Sequence, residues 1–196
     1  MKATKSTNSE IPTLLFAQQK DWARWLRKNH SKSSGVWLRF AKKKSGIPSV
    51  SYGEALEIAL CYGWIDGQKN SYDELWWLQK FTPRGAKSIW SKINRGKAED
   101  LIKKGLMKSA GLQAVERARQ DGRWDAAYDS QSGATVPADF QARLNKNVKA
   151  KAFFATLDSA NRYAILFRIQ TAKKTETRAR RIEQFIEMLE RKEKLH

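Results

Sequence analysis

Residues 51–94 read SYGEALEIALCYGWIDGQKNSYDELWWLQKFTPRGAKSIWSKIN, and they decide the fold class. The stretch opens on Ser51-x-x-Glu54, a capping box in which each residue's side chain takes the other's backbone amide. Tyr52, Ala55, Leu56, Ala59, Leu60 and Gly63 then recur on one helical face. The helix is expected to end near Trp64, with Asp66-Gly67 supplying a turn. Residues 75–81, LWWLQKF, alternate Trp76, Leu78 and Lys80 against Trp77, Gln79 and Phe81, the period of a strand. Thr82-Pro83-Arg84-Gly85 turns the chain. Ser88 is the expected cap of a further helix that stops at Gly105.

Working outward, residues 36–41, VWLRFA, are β-branched and aromatic between turn residues, so they read as a strand pairing antiparallel with residues 75–81. Residues 16–29 have helical spacing, with Trp22, Trp25 and Leu26 on one face. Residues 109–120 form another helix, with Leu112, Val115 and Ala118 expected inside. Beyond a polar linker at residues 131–135, helical patterns run over 137–150 (Phe140, Leu144, Val148), 152–157, 162–171 and 176–190. The last sets Ile182, Phe185, Ile186 and Leu189 on one stripe. The fold class is therefore α+β, predominantly helical, with a small antiparallel sheet and a C-terminal helical region. Residues 1–15 read as a flexible leader, 16–130 as the α+β domain and 136–196 as the helical region.

The chain has 196 residues, 38 basic and 20 acidic, for a net charge of +18 shared between its two halves. A field of that size favours polyanions. A single cysteine excludes an internal disulfide and agrees with a reducing compartment. Residues 1–10 lack the apolar core of a signal peptide, and no apolar run reaches membrane-span length. The expected location is the cytoplasm.

Two groups of residues stand out as candidate sites. Trp64, Asp66, Arg84, Lys87, Ser88, Trp90, Ser91 and Asn94 combine an acid, two cations and several hydroxyl and amide groups around a helix start, a set suited to a small anion. Asp66, placed after a helix C-terminus, is expected to pair with Arg84 or Lys87. Lys42, Lys43 and Lys44 at a strand end, and Arg178, Arg180 and Arg181 on the last helix, suit a polyanion. There is no Gly-rich phosphate loop, zinc spacing or nucleophile elbow, so no catalytic residue, metal or cofactor is assigned.

Several strings together resemble the YdeI/OmpD-associated, or bacteriocin-protection, family. They are Gly35-Val36-Trp37-Leu38, Ser51-Tyr52-x-Glu54-Ala55-Leu56, residues 59–67 (ALCYGWIDG), Phe81-Thr82-Pro83-Arg84, Lys87-Ser88-x-Trp90-Ser91-x-x-Asn94, Asp121-Gly122-Arg123-Trp124 and Arg178-x-Arg180-Arg181-Ile182. The resemblance runs from about Phe16 to Leu195. It implies a stress- or bacteriocin-tolerance protein, an OmdA-like C-terminal region, and no known catalytic mechanism or cofactor.

The leading reading is a non-enzymatic basic protein that binds a polyanion such as nucleic acid, through tryptophans set beside Lys and Arg. One alternative is a small anionic-ligand-binding protein or enzyme using the Asp66, Arg84, Lys87, Ser88, Ser91 and Asn94 set. Another is an interaction module with a protein partner.

Overall fold

The computed structural model describes residues 11–196. Eight α-helices and one four-stranded sheet are present among these residues. The chain divides into two compact units. Unit one takes the chain up to Ser88 together with Gly96–Gly122; unit two takes Ile89–Arg95 and Arg123–His196. The first ten residues of the expected leader lie outside the described residues.

In unit one the sheet order is β1-β2-β4-β3, from β1 (Thr13–Leu14), β2 (Val36–Ala41), β3 (Trp64–Ser71) and β4 (Trp76–Pro83). The expected antiparallel pair is β2 with β4, in the register Val36↔Phe81 to Ala41↔Trp76. Two strands were not anticipated. β1 pairs parallel with β2, which makes the sheet mixed. β3 occupies the stretch expected to turn at Asp66-Gly67, and pairs antiparallel with β4. Its sequence, WIDGQKNS, is poor in strand-forming residues. What holds it is the hydrogen-bond ladder of β4, plus a repair where the register shifts between Asp66 and Lys69. There the buried Gln79 amide donates to the carbonyls of Gly67 at 2.8 Å and Gln68 at 3.2 Å, which the ladder leaves over.

The helices α1 (Gln19–Asn29) and α2 (Tyr52–Cys61) cover one face of this sheet. The Ser51 capping box forms as expected, with the Ser51 amide 2.8 Å from Glu54 Oε2 and the Glu54 amide 3.3 Å from Ser51 Oγ. That backbone contact, then the Gln19 amide, holds the Glu54 carboxyl below its usual value. Trp22, fully buried, packs against Trp64 and Phe81 and donates from Nε1 to the Ala55 carbonyl. Tyr52 of α2 packs on Phe40 and Trp77. The face toward the helices thus carries Val36, Leu38, Phe40, Gln79, Phe81 and Trp64, all buried, and half-buried Trp77, one parity of each strand.

Helix α3 (Lys92–Lys103) starts in unit two and continues in unit one. Ser91, not Ser88, caps it: Ser91 Oγ accepts from the Asn94 amide at 3.1 Å. Helix α4 (Ser109–Gln120) matches its expected bounds and buries Val115 and Ala118 as expected, but not Leu112. It buries Gly111, Ala114, Val115 and Ala118, and leaves Leu112 44% exposed.

Unit two holds α5 (Ala138–Lys146), α6 (Val148–Thr156), α7 (Ser159–Gln170) and α8 (Thr175–Glu190) around a core that includes Phe140, Leu144, Phe154, Ile165 and Leu189. The single helix expected over residues 137–150 is two. Asn147 adopts an extended backbone, and its Oδ1 accepts from the Ala150 amide at 3.0 Å, capping α6. Val148 consequently faces solvent, 80% exposed. The α8 stripe of Ile182, Phe185, Ile186 and Leu189 is buried as expected. Segment 89–95 joins this unit through paired backbone bonds to Tyr128 and an edge-on contact of Trp90 with Trp124, centroids 4.8 Å apart.

Candidate functional site

The period-two alternation that buries one sheet face places Trp37, Arg39, Ala41, Trp76, Leu78 and Lys80 on the other. Asn70 of β3, opposite Leu78, shares this side. The helix contacts described for α1 and α2 fall on the opposite side, and the residues of this face are half-buried. The face is basic and aromatic. The Arg39 guanidinium lies 4.8 Å from the Trp76 ring centroid and 5.7 Å from that of Tyr72. The Lys80 ammonium lies 5.8 Å from the Trp37 ring centroid. Such pairs are electrostatically attractive, and they hold flat rings and positive charge side by side.

Tyr72 and Leu75, in the β3–β4 turn at one end of this face, are 51% and 47% exposed. The Asp73 carboxylate in that turn is occupied internally, accepting from the Leu75 and Trp76 amides at 2.8 Å each. Lys42 Nζ donates to the Asp73 carbonyl at 2.8 Å and ties the end of β2 to the turn. Lys43 and Lys44 follow on a 3₁₀ turn, both exposed, at this same end of the sheet.

The eight residues of the first candidate set are not brought together within one unit. Trp64, Asp66, Arg84, Lys87 and Ser88 belong to unit one, and Trp90, Ser91 and Asn94 to unit two. Trp64 and Trp90 are each 1% exposed and serve as core. Asp66 sits in β3 opposite Phe81, not at a helix end, and its Oδ2 accepts from the Tyr52 hydroxyl at 2.7 Å. Arg84 is buried, and its backbone amide donates to the Gly63 carbonyl at 2.9 Å. Lys87 is exposed and Ser88 half-buried.

In unit two, Arg178 and Arg181 reach the last turn of α7. Arg178 donates to the Ile169 carbonyl at 2.9 Å and forms a two-pronged pair with Asp139; Arg181 donates to the Arg168 carbonyl. Cations suit that negative helix end and satisfy carbonyls the helix leaves open. Arg180 is exposed.

The sheet face escaped the sequence reading because alternation alone does not say which parity a helix will cover. The signal was present: Trp37-x-Arg39 and Trp76-x-Leu78-x-Lys80 are each one parity of their strands. Among the described residues no group of three or more His, Cys, Asp or Glu is placed to hold a metal ion. No helix there is long and apolar enough to cross a membrane.

Two family models match the chain. Residues 14–114, more than half of it, match the domain of unknown function DUF8412. Residues 133–192 match the model described as Bacteriocin-protection, YdeI or OmpD-Associated. The expected resemblance to the latter family is thus found over the C-terminal helices, while most of the strings that suggested it lie under the other model. No curated protein and no solved structure matches the chain. The chain belongs to the DUF8412 family and carries a C-terminal domain of the bacteriocin-protection, YdeI or OmpD-associated type.

Proposed function

We propose that this is a non-enzymatic protein that binds single-stranded nucleic acid on the aromatic, basic face of the unit-one sheet. One observation carries the reading: Trp37, Trp76 and Tyr72 sit on or beside the face away from α1 and α2, each with Lys80 or Arg39 over its ring. Flat rings on a half-exposed sheet face accept unstacked bases of any sequence, and neighbouring cations meet the phosphates. Trp37 and Trp76 are separated by the four-residue step from Trp37 to Ala41 on β2, about 13 Å at strand rise. Lys44 adds an exposed positive charge past the end of the strand, while Lys43 lines a pocket with Phe40, Tyr52 and Trp77 of the other side. The net charge of +18 supports the same partner class. A single buried cysteine fits the cytoplasm as the setting. The family description matched over residues 133–192 supports a protection or tolerance role for the protein as a whole.

The test is fluorescence anisotropy with labelled single- and double-stranded DNA and RNA across a salt series. Three phosphate contacts, by Arg39, Lys80 and Lys44, give a log–log slope of about −2 for a single strand. Trp37→Ala and Trp76→Ala each weaken single-strand binding by about 1–3 kcal/mol, the worth of one stacked base. Equal affinity of both variants and wild type, or a preference for duplex, would refute the platform.

A further inference from the structure

A second site in unit one has different chemistry. A cavity of about 370 Å³ is walled by His30 at the end of α1, Tyr62 and Gly63 after α2, Arg84 after β4, and Gln113 and Arg117 on α4. It does not include the aromatic and basic residues of the sheet face, and it does not rest on the reading given to them.

Local rules assemble it. Gly63 has φ +72°, and a Cβ there would lie 2.7 Å from the Ala110 carbonyl oxygen, so only glycine lets the first turn of α4 close down on the end of α2. The bond from the Arg84 amide to the Gly63 carbonyl fixes Arg84 beside that turn. Ser109, Gln113 and Arg117 are spaced four apart on α4 and line the wall together, with Gln113 Nε2 donating to Ser109 Oγ at 3.2 Å. Trp64 Nε1 donates to the His30 carbonyl at 3.0 Å and pins the end of α1.

The lining draws on Arg84, Arg117, His30, Ser31, Ser109 and Tyr62, and on no Asp or Glu among the described residues. His30 Nδ1 lies 3.0 Å from the Leu26 carbonyl oxygen. A carbonyl only accepts, so Nδ1 carries its hydrogen and Nε2 is the nitrogen left for a ligand. Arg84 is 8% exposed, with Nε and Nη2 shut off from solvent, so it acts from behind the wall as a charge little screened by salt. Arg117 is exposed, and an arginine fork matches phosphate oxygens two at a time. The first turn of α4 adds the positive end of a helix. The volume exceeds what a bare phosphate fills and falls within the roughly 300–1,000 Å³ of small-molecule sites.

We propose that this cavity binds the phosphate monoester end of a small ligand, with Arg117 as the principal contact and Arg84 as the buried charge behind it. The experiment is calorimetric titration and thermal shift of the full chain with 5′-AMP, inorganic phosphate and adenosine. Arg117→Gln and Gln113→Glu are the test variants, because both positions are exposed and the fold does not depend on them. The expected result is saturable binding of 5′-AMP with a raised melting temperature, weaker binding of phosphate, and none of adenosine. Each variant should lose about tenfold or more in affinity, the scale of one hydrogen bond to a charged group, while melting like wild type without ligand. Equal binding of 5′-AMP and adenosine, no binding of either anion, or full binding by both variants would overturn the proposal. Loss in Trp37→Ala and Trp76→Ala with retention in Arg117→Gln and Gln113→Glu would also overturn it, by moving the binding to the sheet face. Nucleic-acid binding that fails while 5′-AMP binding holds would leave this site standing alone.

Discussion

Gly111 on α4 lies directly against the Cys61 carbonyl at the end of α2: a Cβ on Gly111 would stand 2.3 Å from that oxygen and 2.8 Å from the Leu60 oxygen. Both obstacles are backbone, so they cannot swing aside. Gly111→Ala should destabilise unit one by about 1–3 kcal/mol or more, as overpacking does. Gly96, inside α3, has nothing within 4 Å of its would-be Cβ. Gly96→Ala should stabilise by about 0.5–1 kcal/mol through helix propensity alone. Denaturant melts of the two variants should move in opposite directions.

Cys61 is 8% exposed, and burial pushes its thiol above the usual value. The nearby Lys108 charge opposes this only in part. The thiol should therefore ignore a thiol-reactive dye at pH 8 in the folded protein and react at once in denaturant. Rapid labelling of the native chain would show that the α2–α4 contact opens readily.

Acid should act on unit two through its paired carboxylates. Arg178 holds the Asp139 carboxyl below its ordinary 3.8, and Lys92 does the same for Asp129. A group with a lowered folded pKa stabilises fully above its unfolded value, and that stability is lost as pH falls through the folded one. Melting temperature should thus stay level from neutral pH to about 5 and drop below about 4. Asp139→Asn should lower stability at pH 7 and shrink the drop. An unchanged pH profile in that variant would remove the Arg178 pair as its source.

Tyr72 separates binding from stability. It is 51% exposed and touches Arg39 only at cation–π range. Tyr72→Ala should change stability by no more than about 0.5 kcal/mol, as surface substitutions do. Its effect on single-strand affinity should be about 1–3 kcal/mol if the ring stacks on a base. Paired melts and anisotropy titrations of the same preparation check both.

Elements with a complete local signal were legible from the residues alone. Ser51 and Glu54 announced α2; Val36–Ala41, bounded by turn residues, announced β2; and the stripe from Ile182 to Leu189 announced the buried face of α8. Of the strings that suggested the family, Arg178-x-Arg180-Arg181-Ile182 lies within its matched residues 133–192, and most of the others lie under the DUF8412 match. In each case the physics is short-range: a cap, a period or a turn acts within one or two helical turns or strand repeats.

Tertiary structure decided the rest, because it depends on partners distant in the chain. β3 is a strand only because β4 supplies its ladder and the Gln79 amide donates to its stray carbonyls. Asn147 splits a helix whose apolar spacing ran straight through it. The choice of which parity of β2 and β4 to bury came from where α1 and α2 settle, and that choice left Trp37, Arg39, Trp76 and Lys80 on the other face. The cavity of His30, Arg84 and Arg117 gathers residues from four separate segments, a juxtaposition that no local pattern encodes.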